Sequence, residues 1–457
     1  FSVVVLFLCA GILTPKEMLE GFSNKGVITV ALLFLVSEGI RQSGTLGQVI
    51  KKLLPQGKTT VFKAQLRILP SVAFISAFLN NTPVVVIFAP IIKHWAKSVK
   101  LPATKFLIPL SYVTILGGIC TLIGTSTNLV VHGMILEAGY EGFTMFELGK
   151  VGIFIAIAGI IYLFIFSKRL LPDARPDTAV PDEEVEEGEK LHRVEAVLGA
   201  RFPGINKKLS DFNFQRHYGA EVKEIKTRNG QRYVDHLEDV VLREGDTLVV
   251  MADDTFIPTW GESSVFVLLT NGNDPDTSGK KKRWLALILL VLMIVGATVG
   301  ELPATKEMFP DIKLDMFFFV CITTIIMAWT NIFPARKYTK YISWDILITI
   351  ACAFAISKAM VNSGVADCVA GFIIGLSDDY GPHVLLAILF VITNLFTELI
   401  TNNAAAALAF PLALSISAQL GVSPTPFFVV ICMAASASFS TPIGYQTNLI
   451  VQGIGNY

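Results

Sequence analysis

Long apolar segments alternate with short polar segments along most of the chain. Residues 151–166, 284–300, 316–329 and 385–397 are nearly unbroken runs of apolar side chains. Several of these runs approach the roughly 20 residues that a helix needs to cross a bilayer. The pattern predicts a polytopic α-helical membrane protein.

A different pattern separates the two apolar halves. An acidic stretch that contains proline is followed by short segments that alternate apolar and polar residues, with Asn229-Gly230 between two of them. Such alternation around an Asn-Gly pair is typical of a β-hairpin. The predicted order is membrane repeat 1 (residues 1–170), an acidic linker (171–190), a small α/β domain (191–270), a second linker (271–283) and membrane repeat 2 (284–457).

The two apolar halves repeat each other in sequence. Three segments of the first half return in the same order in the second half, each about 320 residues later. Because the three matches share one spacing, we infer an internal duplication. The matched segments are 35–44 with 355–364, 78–90 with 399–411, and 123–133 with 443–453.

The distribution of lysine and arginine predicts that the repeats are inverted. Lys51, Lys58 and Lys63 precede the first Asn-Asn segment, and Lys93 and Lys97 follow its tip, whereas the chain has neither lysine nor arginine after Lys358. Short cytoplasmic loops are enriched in these residues. We therefore expect the first Asn-Asn segment to face the cytoplasm and the second to face outside, with the α/β domain in the cytoplasm.

Each half contains two interrupted membrane segments. The Asn-Asn segments are punctuated by prolines and predict re-entrant hairpins at 70–91 and 384–413. The segments that share Thr-Asn-Leu carry glycines that would let a helix unwind, and they predict broken helices at 106–131 and 427–455. Non-helical backbone inside a membrane is tolerated only where it is packed in protein or lines a cavity.

Broken helices in this arrangement suit ion and anion binding. Free carbonyl groups together with Ser, Thr and Asn oxygens can bind Na⁺, and free N–H groups at a helix N-terminus can bind an anion. Ser76 precedes Asn80 by four residues, and Thr397 precedes Thr401 by four, so each hydroxyl lies one helical turn from the hairpin tip. Glu398, the next residue, could approach a sodium site or reach the outer interface.

Composition agrees with a membrane location. Hydrophobic residues make up 53% of the chain and charged residues only 16%, and the mean hydropathy is +0.60. The formal net charge is zero, which gives no indication of nucleic-acid binding. The chain begins with Phe1 inside an apolar run and ends at Tyr457 soon after the second Thr-Asn-Leu segment, so we expect that terminal segments, including a final helix, are missing.

The hairpins and broken helices resemble those of the divalent anion/sodium symporter family of the ion transporter superfamily. Hairpin tips in that family carry a Ser-Asn-Thr motif, and Thr-Glu often precedes the second. Here the motifs are Asn80-Asn81-Thr82 and Thr401-Asn402-Asn403. The first motif begins with Asn instead of Ser, and the second ends in Asn instead of Thr. Those positions touch the substrate in dicarboxylate-transporting relatives, which argues against a C4-dicarboxylate.

The resemblance implies a secondary active transporter, a homodimer that works by an elevator-type movement, with Na⁺ as coupling ion and no other cofactor. The implied first sodium site consists of Ser76, Asn80, Asn81, Gly124 and Asn128. The implied second sodium site consists of Thr397, Thr401, Asn402, Gly444 and Asn448. The implied anion site consists of Asn81, Thr82, Asn402 and Asn403, with help from Thr127 and Thr447.

The inserted domain resembles the C-terminal lobe of RCK/TrkA regulatory domains. The match rests on Phe214, Tyr218 and Gly219, and on the Arg-Glu-Gly-Asp segment at 243–246. Proteins that combine such a lobe with symporter halves are commonly described as sulfate transporters, so the resemblance favours sulfate. The lobe could bind a small cytosolic effector or serve only for dimerisation.

Other functions fit the sequence less well. A cation/proton antiporter normally needs a carboxylate where the broken helices cross, and neither 123–133 nor 443–453 contains one. A gated channel would need a selectivity-filter pattern that the sequence lacks. An enzyme is not expected, because the α/β domain shows neither a nucleophile–base constellation nor a glycine-rich phosphate loop. A dicarboxylate symporter and a Na⁺/H⁺-type antiporter are the alternatives to sulfate symport.

Overall fold

The computed structural model of the chain describes residues 1–173, 192–199, 201–227, 231–253, 256–260, 265–270, 280–309, 312–375, 381–442, 444–455 and 457. The side chains of 258, 268, 270, 280 and 345 are not described. The predicted Asn229-Gly230 turn lies outside the described residues. So do most of the acidic linker and most of the linker 271–283.

Helices account for almost all of the first apolar half. They are α1 (Ser2–Cys9), α2 (Pro15–Ser23), α3 (Lys25–Gln42), α4 (Thr45–Leu53), α5 (Val61–Ser76), α6 (Asn81–Ser98), α7 (Thr104–Gly118), α8 (Ser126–Glu137) and α9 (Gly149–Leu170).

The second apolar half is also helical. After α10 (Phe214–Tyr218) and α11 (Phe256–Trp260) of the inserted domain come α12 (Lys280–Gly300), α13 (Pro303–Met308), α14 (Met316–Trp329), α15 (Tyr338–Tyr341), α16 (Trp344–Asn362), α17 (Val365–Gly375), α18 (Pro382–Leu399), α19 (Asn402–Leu420), α20 (Thr425–Ser436) and α21 (Gln446–Gly455). Short 3₁₀ helices lie at Leu237–Asp239 and Ala335–Lys337.

Several helices have the length and apolar composition of membrane spans. Among the described residues there are five such helices, or six if the bent pair Ala335–Tyr341 and Ile346–Asn362 forms one span. Large apolar side chains on α9 and α12 are also exposed, including Phe154, Ile165 and Leu292. Because a soluble protein rarely exposes such continuous apolar faces, α9 and α12 fit a lipid environment. The protein is therefore a multi-pass membrane protein.

Contrary to the prediction from the sequence, the prolines do not interrupt the helices. Pro70, Pro90 and Pro411 all lie inside continuous helices. The breaks fall instead at Asn80 and Thr401, the residues that cap α6 and α19. A proline removes one backbone donor, and neighbouring helices can satisfy the carbonyl that is left over, so membrane helices tolerate it. As a result α18 and α19 are each long enough to cross a membrane, which is longer than predicted for a hairpin.

The two halves share one hydrophobic core. α8 packs against α19 and α20, and α21 packs against α6 and α7. Phe88 and Phe106 of the first half, and Phe427 and Phe428 of the second, are buried in this core. The interrupted helices of one half are therefore fixed by those of the other, which places all four helix breaks near one another.

Between α9 and α12 lies a five-stranded antiparallel sheet. Its strands are β1 (His192–Leu198), β2 (Glu221–Lys226), β3 (Arg232–Tyr233), β4 (Thr247–Ala252) and β5 (Phe266–Thr270), in the order β3-β2-β4-β1-β5. A separate core of aromatic side chains covers the sheet and includes Phe202, Phe214 and Tyr218. This sheet with its covering segments is called the lobe below.

Candidate anion and sodium site

Four helices begin at one place between the two halves. Thr82 in the first turn of α6 donates a hydrogen bond to Oε1 of Gln446, the first residue of α21, at 3.3 Å. Ser126, the first residue of α8, donates to Oδ1 of Asn403 in the first turn of α19 at 3.1 Å. These two bonds bring the N-termini of α6, α8, α19 and α21 together.

The convergent helix ends carry positive electrostatic potential. The N-terminus of a helix acts as roughly half a positive charge, so four of them approach the charge that neutralises a dianion. Thr125 and Thr401 precede α8 and α19 without capping them through their side chains. The first backbone N–H groups of these two helices are therefore available to an anion.

A cavity of about 340 Å³ opens onto these helix ends. Among its described lining residues none is positively charged, and Glu38 is the only one with a negative charge. The Glu38 carboxylate accepts hydrogen bonds from Nε and Nη2 of Arg41 at 2.7 and 2.6 Å. The lining residues are Phe34, Ser37, Glu38, Asn80, Thr82, Pro83, Ser126, Tyr341, Ser343, Ile346, Thr349, Thr401, Asn402, Asn403, Gly444, Tyr445 and Gln446.

The two amide side chains that bridge the halves are oriented alike. The oxygen of Gln446 accepts from Thr82, and the oxygen of Asn403 accepts from Ser126 and, at 3.3 Å, from Thr127. Their NH₂ groups remain as donors on residues that line the cavity. Neutral donors of this kind suit an anion and not a cation.

Backbone and side-chain oxygens converge at the first break, between α7 and α8. A methyl group built on Gly124 would lie 2.4 Å from the Gly118 carbonyl oxygen and 2.9 Å from that of Ala77. Asn81, only 1% exposed, accepts a hydrogen bond from Ser76 at 2.8 Å. The predicted sodium ligands Ser76, Asn81 and Gly124 are therefore close together.

Asn128 on α8 forms a hydrogen bond to the backbone of this break. Its Nδ2 donates to the Thr121 carbonyl oxygen at 2.9 Å, while its Oδ1 is buried without a hydrogen-bond partner. An unpaired buried amide oxygen is costly unless a ligand satisfies it, and Na⁺ is such a ligand. Asn80 differs from the others, since its side chain accepts from the backbone N–H of Asn81 and caps α6.

The second break, between α20 and α21, repeats these hydrogen bonds 320 residues later. Nδ2 of Asn448 donates to the carbonyl oxygens of Ser438 and Thr441 at 2.8 and 3.3 Å. The Gly444 N–H donates to the Thr441 hydroxyl at 3.2 Å, the same distance as from Gly124 to Thr121. The backbone of both breaks is thus held by the same type of contact.

The remaining predicted residues are divided between the two sides of the site. Thr397 is buried and donates to the Ala435 carbonyl oxygen at 2.6 Å. Asn402 donates from Nδ2 to the Thr127 hydroxyl at 2.8 Å. The hydroxyl of Thr447, which is fully buried, lies 2.9 Å from that of Ser111, and Thr401 is exposed at the cavity.

Tyr445 was not identified from the sequence. Its buried hydroxyl accepts from Nδ2 of Asn81 at 2.5 Å and lies 3.1 Å from the Thr125 hydroxyl, so it joins the two halves. Comparison of the two Thr-Asn-Leu segments could have identified it, because Tyr445 stands at the position that matches Thr125. A large polar residue at only one of two matched positions indicates a contact across the repeats.

The structure also settles the location of Glu398. Its carboxylate accepts hydrogen bonds from the backbone N–H groups of Phe439, Ser440 and Thr441, at 2.9, 3.0 and 2.9 Å. The first half has Ala77 at the matched position and lacks this contact. Glu398 therefore fixes the loop between α20 and α21 to the end of α18.

Comparison with known proteins identifies the family. The sequence profile of a citrate transporter family, CitMHS, matches residues 1–431. The chain belongs to this family.

Relatives of this citrate transporter family member carry names that agree with the symporter resemblance. An uncharacterized transporter of Synechocystis is 28% identical, over all of this chain and 88% of its own length. Sodium/sulfate cotransporter 2 of Chlamydomonas reinhardtii is 30% identical over 58% of this chain and 29% of its own length. A sodium-dependent dicarboxylate transporter of Staphylococcus saprophyticus is 28% identical over 26% of this chain and 23% of its own length. The resemblance to divalent anion/sodium symporters is confirmed.

In this family member the lobe lies against two of the site helices. Nζ of Lys93 on α6 is 2.9 Å from both carboxylate oxygens of Glu195 on β1, and Lys226 lies 3.2 Å from the same carboxylate. Burial alone would raise the pKa of Glu195, but the two lysines outweigh it and lower that pKa from 4.5 to about 2. The stabilisation is present above about pH 4.5 and is lost as the pH falls toward 2, so the contact persists at neutral pH.

Replacing Tyr445 by Phe tests the contact between the halves. Without the hydroxyl, the buried Asn81 amide loses its partner, and we expect the free energy of unfolding to fall by about 1–3 kcal/mol. Chemical unfolding of the detergent-solubilised protein measures the difference. Tyr140→Phe, at a side chain that is 44% exposed, serves as the control and should be nearly neutral. Equal stability of the two variants would contradict the assignment.

Proposed function

We propose that the protein is a secondary active transporter that carries a small divalent anion, with sulfate favoured, into the cell together with Na⁺. The single observation that carries this proposal is the convergence of four helix N-termini on a cavity whose described lining residues include no cationic side chain. Helix ends and neutral NH₂ groups stabilise a dianion without binding it irreversibly, which a carrier requires.

Sodium coupling is supported by the oxygen atoms behind the anion cavity. Carbonyl oxygens at Ala77 and Gly118 and the free amide oxygen of Asn128 offer hard, uncharged ligands to Na⁺. Bound Na⁺ would add positive charge next to the anion. Each ion would therefore strengthen the binding of the other, which is the physical basis of symport.

Sulfate is favoured over a larger dicarboxylate by the side chains at the second break. Tyr445 and Gln446 stand where the first half has Thr125 and Ser126, so they occupy space beside the hairpin tips. The relative named sodium/sulfate cotransporter supports the same choice. A dicarboxylate symporter is the alternative, and a relative with that name matches a quarter of the chain.

A Na⁺/H⁺-type antiporter is less well supported. That reaction needs a carboxylate that exchanges protons at the ion site. The cavity carboxylate, Glu38, is paired with Arg41, and Glu398 is bound to three backbone N–H groups. Neither is placed as an exposed proton acceptor among the described residues of the site.

Uptake of radiolabelled sulfate into proteoliposomes tests the proposal. We expect accumulation with an inward Na⁺ gradient and none when choline replaces Na⁺. Succinate and citrate are tested in the same vesicles, and uptake of these alone would keep the symporter but replace sulfate as its substrate. If none of the three anions accumulates under either condition, the symport proposal is wrong.

Gln446→Glu probes the anion site in the same assay. The substitution keeps the shape of the side chain but replaces a donor NH₂ group by a charged oxygen, so we expect sulfate uptake to fall at least about 100-fold. Gln56→Glu, an exposed matched change, should transport like the wild type. Wild-type uptake by Gln446→Glu would remove this residue from the site.

We further propose that the repeats are inverted and that the lobe regulates their movement. A methyl group built on Gly133 would lie 2.4 Å from Oδ1 of Asn24, just before α3. At the matched Gly453, the corresponding group would lie 3.0 Å from Oγ1 of Thr247 in the lobe. In alternating access by inverted repeats, each half adopts in one state the arrangement that the other half has in the opposite state. In the opposite state α21 would therefore have to pack against the start of α16, as α8 packs here against the start of α3. The docked lobe covers that surface of α21 and would hold the transporter in one state.

Reversing the charge at Lys93 tests this role of the lobe. Lys93→Glu places two carboxylates against each other, so the lobe should detach and the initial rate of sulfate uptake should rise several-fold. Lys97→Glu, an exposed change one turn along α6, is the control and should leave the rate unchanged. Adding Glu195→Lys to Lys93→Glu should return the rate toward the wild-type value. A Lys93→Glu protein that folds and transports at the wild-type rate would contradict the proposal.

A further inference from the structure

We propose that Ser438 supplies a ligand to the second sodium site, so that the two sodium sites of this protein differ in their ligands. Ser438 lies in the break between α20 and α21, and its hydroxyl is buried without a hydrogen-bond partner. This inference rests on the sodium-coupled transport proposed above. It adds a residue that neither the family resemblance nor the sequence pattern assigns to the site.

The amide oxygen that serves the first site is already engaged in the second. Oδ1 of Asn448 accepts a hydrogen bond from the Ser111 hydroxyl on α7 at 2.7 Å. Oδ1 of the matched Asn128 has no hydrogen-bond partner. The difference has a simple cause, since the position matched to Ser111 in the second half is Ile431, which cannot donate. The second site therefore needs another oxygen.

A side chain at the position of Ser438 points into the second sodium site, as the matched position of the first half indicates. Its counterpart is Gly118, where a methyl group would lie 2.6 Å from Oδ1 of Asn81 and 3.1 Å from the Gly124 carbonyl oxygen. A side chain at this position therefore points toward the oxygens of the first site. In the second half the residue at this position is Ser438, whose side chain ends in a hydroxyl.

The neighbours of the Ser438 hydroxyl are the oxygens expected around Na⁺. A methyl group built on Gly444 would lie 2.1 Å from Oγ of Ser438 and 2.7 Å from the Thr397 carbonyl oxygen. Both oxygens thus lie close to one point beside Gly444. Glycine leaves this space open, because any larger residue would fill it. A cation at this point would satisfy the hydroxyl oxygen, which otherwise stays buried and unpaired at a cost.

Two positions that adjoin the second site are polar, whereas the matched positions of the first half are apolar. Thr393 on α18 and Ser436 on α20 each have a buried hydroxyl without a partner. The matched positions of the first half are the apolar Val72 and Leu116. Among the described residues, α18 and α20, which pack against each other, therefore carry two further unpaired hydroxyls that the matched positions of the first half lack.

Sodium binding to the purified full chain, without any anion, tests this proposal. The melting temperature of the detergent-solubilised protein is measured against Na⁺ concentration at constant ionic strength, with choline as the balancing cation, because an ion that binds only the folded state raises that temperature. We expect Ser438→Ala to raise the Na⁺ concentration at the midpoint at least about tenfold, because the loss of even an outer-shell partner of a metal ligand costs that much affinity. Ser417→Ala removes a buried serine that donates to the Leu414 carbonyl oxygen in α19 and should keep the wild-type midpoint.

Each outcome of this titration decides the question. A wild-type Na⁺ midpoint in Ser438→Ala would overturn the assignment while leaving sodium coupling intact. A wild-type protein that Na⁺ does not stabilise would refute sodium coupling and this proposal with it. If Ser438→Ala does not fold, the same titration is made with Ser438→Gly, which introduces the residue found at the matched position 118. The same shift in the Na⁺ midpoint is expected.

Discussion

The interruption of helices inside a membrane leaves backbone groups that must find partners away from water. An unpaired N–H or carbonyl group costs several kcal/mol in a hydrocarbon environment, so the breaks at 119–125 and 437–445 can exist only if side chains or ligands satisfy them. The amides of Asn128 and Asn448 bridge the carbonyl oxygens, and Glu398 accepts from three N–H groups. In the proposed symport, the groups that remain unsatisfied would bind the transported ions, so folding and transport would rest on the same constraint.

Some of the contacts that satisfy these backbone groups are the same in the two halves, and others occur in one half only. Both use a Thr-Asn pair and a glycine that donates to a threonine hydroxyl. In the second half, Ser111 of the other repeat engages the asparagine oxygen, and Tyr445 reaches across to the first hairpin. These cross-repeat contacts join the halves into one site. They also make the polar surroundings of the two helix breaks chemically distinct, although the two segments resemble each other in sequence.

Much of this arrangement could be predicted from the sequence. The apolar runs indicate the membrane helices, and the matched Asn-Asn and Thr-Asn-Leu segments indicate residues that come together near Thr82, Ser126 and Gln446. Local patterns did not predict which prolines break a helix, because tertiary contacts decide whether Pro70 or Pro411 is tolerated. Contacts made by one half only, such as those of Tyr445 and Glu398, could not be derived from the repeat, because they depend on how the halves pack.

The lobe adds a second constraint to the site helices. Lys93 lies on the helix that begins at Asn81, and Gly453 lies on the helix that begins at Gln446. The lobe therefore contacts two helices that start at the cavity between the halves, and it does so away from their N-termini. A rigid helix transmits a displacement from one end to the other. The contact with the lobe is therefore positioned to influence the site without touching an ion.

The most direct test of the central claim is the equilibrium binding of radiolabelled sulfate to the detergent-purified protein over a series of Na⁺ concentrations. If sulfate and Na⁺ occupy one linked site, the sulfate affinity rises with the Na⁺ concentration. A plot of the logarithm of the sulfate association constant against the logarithm of the Na⁺ concentration then approaches a slope of about two, one for each sodium site. Sulfate binding whose affinity does not change with Na⁺ would contradict the account.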